Sequence, residues 1–416
     1  MTNADDHSLA KTSDFIFVIR HSSFVISMIY LDSNATTQVD PRVVDAMLPF
    51  LREHYANPSS SYGAARMVRK AIETAREQVA ALLGCEPTEI IFTSGGTESN
   101  NAAIGSALTL YFPHKPHFVT VKTEHSAVLE PAQRWSRQEH AVSFLNVDRE
   151  GRVDTDELRS CAHDGQTALV SLMWANNETG VIAPIEEAVH SAHEHGALFH
   201  TDAVQAVGKL RISMRDIPVD YLSLSGHKFH APKGIGALYI SKRVRFKPWI
   251  LGGGQEFGRR SGTENVSHIV GMGLAAELMR GELKRGGDAE IKAMRDAFEK
   301  VILSALPDVV INGSIEHRLH TTSSLCFPGV DASGLLILLD ERGVACAAGS
   351  ACHTGALHPS HVLEAMGYDS EHARCTLRFS LSRFNTMDQS VRAAELVIEC
   401  VKKMRSLQTG LVAVHS

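Results

Sequence analysis

Glu89-Ile-Ile-Phe-Thr-Ser-Gly-Gly-Thr-Glu-Ser99 passes from a short apolar run, through a serine and two glycines, into a stretch that reads as a helix from about Thr97. A strand that feeds a helix through a glycine turn is the repeating unit of an α/β protein. Further strands are expected at His117 to Val121, Val142 to Val147, Ala168 to Trp174, Leu198 to Thr201, Tyr221 to Leu224 and Gly236 to Ile240, with helical stretches between several of them. That alternation predicts a largely parallel sheet covered on both faces. Toward the N-terminus, Asp40-Pro41 supplies an N-cap and a first-turn proline for a helix through about His54. A second helix carries Met67, Val68, Ile72, Ala75, Val79 and Leu82 on one face and closes at Gly84. Beyond Gly252-Gly-Gly254 the pattern changes. Helices are expected over Val266 to about Leu283 and Asp288 to about Leu306, parted by Gly286-Gly287. Then come a strand at Ser323 to Phe327, a helix near Gly334 to Glu341, a strand at Leu377 to Leu381 and a last amphipathic helix ending near Leu407. This C-terminal part reads as a smaller α+β domain.

At 416 residues the chain exceeds the size at which single cores stop growing, so one large and one small domain are expected. The 44% hydrophobic and 21% charged residues are those of a soluble globular protein, and a formal charge of −6 gives no basic footprint for nucleic acid. No run of eighteen apolar residues is present to span a membrane. Seven cysteines, scattered and without a Cys-x-x-Cys, fit a reducing compartment and a cytoplasmic location. Residues 1–27 break their apolar run at Arg20-His-Ser-Ser23 and place Asp5 and Asp6 where a signal peptide is basic. They read as a disordered extension or an over-long start, with Met28 as an alternative beginning.

The chemistry centres on Leu222-Ser-Leu-Ser-Gly-His-Lys-Phe229. Ser225-Gly226-His227 breaks the strand and holds the amine of Lys228 at its end. An ordinary lysine, with a pKa of about 10.4, becomes a nucleophile toward an aldehyde only when desolvated or crowded by cations. A solvated surface charge is the plain alternative. Asp202, in His200-Thr-Asp-Ala-Val-Gln205, ends another strand, where it can hold a ring nitrogen protonated or simply cap a helix. Paired, Asp202 and Lys228 suit the pyridinium nitrogen and aldehyde carbon of pyridoxal phosphate. The turn Ser94-Gly95-Gly96-Thr97 offers free N–H groups at a helix start, which suits a phosphate but also occurs without one. His125, after the strand ending at Val121, can stack on a flat ring or move protons. In Val344-Ala-Cys-Ala-Ala-Gly-Ser-Ala-Cys-His-Thr-Gly355 the small residues around Cys352 suggest an exposed, mobile thiol able to travel between two sites. Cys85, Cys161, Cys326, Cys375 and Cys400 are expected to be buried and inert, and so is Cys346. The spacing of Cys346, Cys352 and His353 matches no common zinc set, so no metal is expected. Arg378, in Thr376-Leu-Arg-Phe-Ser380, can clamp a carboxylate through two parallel bonds or form a surface ion pair.

Together these motifs resemble the cysteine desulfurases of the NifS/IscS type, in the class V branch of fold-type I pyridoxal phosphate enzymes. The resemblance runs from about Tyr30 to Leu407. It rests on Tyr30-Leu-Asp-Ser-Asn-Ala-Thr-Thr37, Asn57-Pro-Ser-Ser60, Phe92-Thr-Ser-Gly-Gly-Thr-Glu-Ser-Asn100, Ala175-Asn-Asn-Glu-Thr-Gly180, Asp202-Ala-Val-Gln205, Ser225-Gly-His-Lys228, Arg260-Ser-Gly-Thr-Glu-Asn265, Gly349-Ser-Ala-Cys352 and Arg378-Phe-Ser-Leu381, in the family's order. It implies a mostly parallel seven-stranded sheet in a large cofactor-binding domain over residues 40–287. A smaller α+β domain would be built from 28–39 and 288–416 and carry the Cys352 loop. By position, Lys228 would form the Schiff base, Asp202 would pair with the pyridinium nitrogen, Gln205 would meet the ring hydroxyl and His125 would stack on the ring. Gly96, Thr97, Ser225 and His227 would hold the phosphate, with Thr263 reaching in from the other subunit of a homodimer. Asn177 would lie against the cofactor, Asn34 and Arg378 would hold the substrate carboxylate, and Cys352 would take the sulfur.

The implied reaction converts L-cysteine to L-alanine. Lys228 moves the Cα proton, and sulfur passes to a persulfide on Cys352 and on to an acceptor protein for iron–sulfur cluster or other sulfur-cofactor assembly. His230-Ala231 stands where many relatives carry Tyr-Gly, and Ser382 replaces a usual glycine. The segment after Leu407 is shorter than the tail by which housekeeping relatives dock a scaffold, so the acceptor is not fixed as a scaffold protein. Gly252-Gly-Gly-Gln-Glu256 and Thr263-Glu-Asn265 also resemble selenocysteine lyases, the rival activity; a non-catalytic assembly protein of the same fold is the alternative from another class.

Overall fold

The computed structural model describes residues 28–111, 113–162, 165–348 and 360–415. The expected extension over 1–27 and Cys352 lie outside them. In chain order the strands are β1 (Ile29–Tyr30), β2 (Ile90–Thr93), β3 (His117–Val121), β4 (Ala141–Leu145), β5 (Thr167–Ser171), β6 (Leu198–Asp202), β7 (Tyr221–Ser225), β8 (Gly236–Ile240), β9 (Val310–Ile311), β10 (Thr322–Cys326), β11 (Val344–Ala345), β12 (Ala347–Ala348) and β13 (Thr376–Ser380). Seven of them form one sheet in the order β2-β8-β7-β6-β5-β3-β4. β8 runs antiparallel to both its neighbours, and the other pairings are parallel. The carboxyl ends of β2, β3, β5, β6 and β7 therefore open on one edge. β2, β3, β5, β7 and β8 are buried along their whole length, and the polar residues among them, such as His117 and Ser223, are hydrogen-bonded to neighbouring strands. β4, at the sheet's edge, is exposed at its start.

Helices cover both faces. The first is α1 (Pro41–Arg52), which Asp40 caps through its bond from the Arg42 N–H. Next comes α2 (Gly63–Leu83), which ends on the left-handed Gly84. α2 buries Val68, Ile72, Ala75, Val79 and Leu82 as expected, but Met67 is 44% exposed because it stands beside that stripe rather than in it. α3 (Gly96–Tyr111) and α4 (Ser126–Arg137) follow β2 and β3, and α5 (Thr155–Cys161) and α6 (Ile185–Glu194) precede β5 and β6. α7 (Val266–Arg285) packs along α2 and α1. Gly286, at φ +80°, turns it into α8 (Gly287–Ala305).

The second hydrophobic cluster joins β1, β10, β11 and β13 to α8, to α9 (Ala332–Glu341) and to the last helix, with Phe298, Phe327 and Phe379 at its centre. Its sheet has the order β12-β13-β10-β9, antiparallel throughout, and β1 pairs with β11. After β12 come the short α10 (His361–Ala365) and α11 (Ser370–Arg374). α12 (Met387–His415) runs past the expected end near Leu407. Two expected strands are shorter than their apolar runs. Leu145 ends β4, while Val147 only bridges Val153, and β5 ends at Ser171, although the Leu172 and Trp174 N–H groups still donate to His200 O at 3.1 Å and Asp202 O at 2.9 Å on β6. No helix among the described residues is long and apolar enough to cross a membrane.

Candidate active site

The open edge of the large sheet and the end of the small one enclose a cavity of about 400 Å³. That volume falls within the range of small-molecule sites. Each large-sheet strand that ends there delivers a functional group: β2 gives Gly96 and Thr97, β3 His125, β5 Asn177, β6 Asp202 and Gln205, and β7 the turn Ser225 to Lys228. This is the edge where open parallel sheets bind ligands. Asn34 and Arg378 line the facing wall. Eleven of the residues marked in the sequence thus meet in one place.

Asp202 is almost fully buried and both its oxygens accept bonds, Oδ2 from Asn100 Nδ2 at 2.6 Å and Oδ1 from the Val204 N–H at 3.0 Å. His125 is the N-cap of α4. Its Nδ1 accepts from the Ala127 N–H at 3.0 Å, which leaves the ring's proton on Nε2. Burial, reinforced by Lys228 and His361 and opposed by Asp202, pulls its pKa below the usual imidazole value. The first turn of α3 sits against Ser225 and Val204, so close that a Cβ on Gly96 would meet Val204 Cγ2 at 2.6 Å. Gly236, facing Ser225 across β7 and β8, is equally constrained, since a Cβ there would lie 2.6 Å from Gly95 Cα. His227 binds Thr36 Oγ1 through Nδ1 at 3.2 Å, and burial, with Lys228 and Lys233 nearby, lowers its pKa to about 4. The Lys228 amine donates to the backbone oxygens of Asn34 at 2.6 Å and Ala35 at 2.8 Å.

The segment from Tyr30 to Thr37 ties the two sheets together. Ser380 N donates to Leu31 O at 2.7 Å on one side, and Thr37 N donates to His227 O at 2.8 Å on the other. Asn34 Nδ2 donates to Asn177 O at 3.2 Å and Thr322 Oγ1 at 2.9 Å. Arg378 reaches from β13 and donates to Asn177 O at 3.0 Å and Asp32 Oδ1 at 2.7 Å, while its Nε is buried without a partner. An orphaned guanidinium N–H at a cavity wall is what a bound carboxylate would satisfy.

Thr263 is exposed and does not line this cavity within the chain. Cys85, Cys326, Cys375 and Cys400 are buried as expected, but Cys161 and Cys346 are only partly so. Burial pushes the Cys85 and Cys326 thiols up to about 12, and raises Cys346 as well, so none of the three is a ready thiolate. Sequence reasoning missed five residues here. Asn100 holds Asp202, Asp32 holds Arg378, and Lys209 bonds Asn34 and Gln205. Glu124 is fully buried, and burial beside Asp202 lifts its carboxyl well above the usual range. His361 Nε2 donates to the Glu124 backbone oxygen at 2.9 Å. Only Lys209 left a local sign, standing four residues after Gln205.

Comparison with known proteins places these features in context. Residues 29–391 match the family model described as aminotransferase class-V. A cysteine desulfurase from Nostoc is 48% identical over 382 residues, 92% of this chain and 95% of its own length. A solved NifS-like protein superposes with a TM-score of 0.84 at 37% identity, covering 90% of this chain and 99% of its own. A second, SspA in complex with cysteine, superposes with a TM-score of 0.76 at 35% identity, covering 86% and 99%.

Proposed function

We propose, from the premise that the chain belongs to the class-V aminotransferase family, that it is a pyridoxal phosphate-dependent cysteine desulfurase converting L-cysteine to L-alanine and passing the sulfur to an acceptor protein. The observation that carries this is the convergence of the Lys228 amine and the Asp202 carboxylate, from adjacent strand ends, on a cavity whose far wall is Arg378.

The residues present fit the cofactor. Asp202 would face the ring nitrogen, Lys228 would hold the aldehyde carbon, and His125 would lie on the ring. Gln205 and Asn177 would border it, and the first turn of α3 with Ser225 and His227 would cradle the phosphate, joined by Thr263 of a second copy. When bound, pyridoxal phosphate supplies an electron sink for the charge left on Cα. The protein's own groups do the rest. Arg378 and Asn34 bind the substrate carboxylate, and the unpartnered Arg378 Nε–H supports that assignment. The Lys228 amine takes the Cα proton and returns a proton to carbon as alanine forms. His125, neutral through burial, can hold a proton on Nε2 beside the leaving sulfur. Cys352 thiolate attacks that sulfur; an S–S bond forms as the C–S bond breaks, leaving a persulfide on Cys352.

Cysteine is favoured over selenocysteine as substrate by the solved relative SspA, which is in complex with cysteine. We read residues 40–287 as the large domain and 28–39 with 288–416 as the small one, supported by the two separate hydrophobic clusters. The expected active form is a cytoplasmic homodimer that serves a sulfur-acceptor protein of iron–sulfur or related assembly. The test is an absorbance spectrum of the purified protein, followed by L-cysteine under reductant with sulfide and alanine assayed. A near-visible band with equal yields of both products is expected, and Cys352→Ala should keep the band while losing sulfide release. Full sulfide release by that variant would remove Cys352 from the mechanism, and turnover of selenocysteine without cysteine would overturn the substrate.

A further inference from the structure

Lys209 lies in the turn after β6, four residues beyond Gln205, and is 7% exposed. Its Nζ donates to Gln205 Oε1 at 2.5 Å and to Asn34 Oδ1 at 3.1 Å. Each amide oxygen therefore faces Lys209, which turns each amide nitrogen the other way. Gln205 Nε2 donates to the Asn34 backbone oxygen at 2.9 Å, the same atom that accepts from Lys228 Nζ at 2.6 Å. Asn34 Nδ2 points to Asn177 and Thr322. One buried amine thus sets the orientation of two cavity-lining amides and is linked to Lys228 through Gln205 and the Asn34 carbonyl.

The electrostatic surroundings are one-sided. Among the described residues, the titratable groups interacting with Lys209 are Lys228, Arg378, His230 and His320, all of them bases. Burial first, and then Lys228 and Arg378, hold its amine well below the ordinary lysine value. A buried amine held without a carboxylate partner among the described residues is costly to the fold, which a purely structural contact would not require.

We propose that Lys209 is a positioning residue of this site: it locks the Asn34 and Gln205 amides with their oxygens inward, and it tunes the proton affinity of Lys228 through the Asn34 carbonyl to which Gln205 and Lys228 both donate. This rests on the desulfurase reading for its substrate and on bound pyridoxal phosphate for its signal.

The experiment uses the cofactor-loaded protein and Lys209→Met, which keeps the apolar stem and removes the donors. Its first readout is the absorbance of the bound cofactor titrated against pH without substrate; the second is kcat and KM for L-cysteine. Removing a buried amine that competes with Lys228 for positive charge is expected to move the titration midpoint up by about one pH unit. Freeing the two amides is expected to raise KM about tenfold, with kcat changed less. A loaded variant whose midpoint stays at the unmutated value overturns the proposal, because a merely structural lysine alters yield and melting temperature without moving a titration. Should Lys209→Met fail to fold, Lys209→Gln, neutral but still a donor, is expected to show the same upward shift with a smaller rise in KM; an unmoved midpoint there overturns it equally. The titration needs bound cofactor but no turnover. Protein that binds the cofactor yet releases no sulfide from cysteine would thus sink the desulfurase reading while leaving Lys209 tested.

Discussion

The two walls of the cavity are built differently. On the large-sheet wall the groups stand within a few residues of a strand end, and the two that would meet the ring arrive with bonds made: Asp202 has a donor on each oxygen, and His125 caps its own helix. The facing wall is assembled from Asp32, Asn34, Asn177, Thr322 and Arg378, drawn from distant parts of the chain, and it leaves the Arg378 Nε unpartnered. A carboxylate held by a donor on each oxygen suits a group that stays, whereas a guanidinium with an open donor suits one that binds and leaves. The first suits a resident cofactor and the second a substrate that turns over.

That division is broken most sharply at Asp202. An asparagine there would keep the shape but set an amide N–H₂ against either Asn100 Nδ2 or the Val204 N–H, both donors. It would also remove the charge that a ring nitrogen requires. Asp202→Asn is expected to lower kcat by about 10²–10³-fold, with cysteine KM changed far less. Steady-state kinetics at saturating cofactor check this; an equal loss in KM would mean that the large-sheet wall also binds substrate.

The opposite pattern is expected across the cavity. In Arg378→Lys a point charge replaces a fork that already spends one nitrogen on Asn177 and another on Asp32. KM for L-cysteine should rise about 10–100-fold while kcat falls less, since carboxylate binding is lost in ground and transition states alike. A variant with normal KM and depressed kcat would show that Arg378 acts on the reaction itself.

The same contrast explains what the sequence made legible. Lys228, Asp202 and His125 could be found because a strand pattern, a break and a reactive side chain fall within a few residues of each other, and parallel strands bring such breaks to one edge. Arg378 could be set on a strand as a carboxylate clamp, but nothing near it in the sequence says what it faces. Its partner Asp32 is 346 positions away, and Asn34 meets Thr322 across 288. Contacts of that span depend on how two sheets dock, and no local periodicity records it. β1, β9, β11 and β12, two residues each, were missed because two residues cannot show a period, although β1 with β11 carries the segment that joins the walls. Met67 was misplaced for the reverse reason, since an apolar residue beside a stripe looks like part of it.

The rigidity of the large-sheet wall extends below the cavity to His200, two residues before Asp202 on β6. Its ring spans the sheet, bonding Ser171 on β5 through Nδ1 at 2.8 Å and Ser223 on β7 through Nε2 at 3.0 Å. Burial pulls its pKa down to about 3. An unfolded histidine titrates near 6.5, so between those values the unfolded chain binds the extra proton, and stability rises with pH. His200 therefore costs the fold about 1.4 kcal/mol for each pH unit below ~6.5, and nothing above it. His200→Gln, which retains a donor and an acceptor for the two serines, should flatten that slope by the same amount in urea unfolding at pH 5 and pH 7. It should leave the pH 7 value within about 2 kcal/mol of the parent, the cost of reshaping two buried bonds. If the acid slope persists in the variant, the acid sensitivity of this wall lies elsewhere, and the strand ends are held by something other than a neutral ring between two serines.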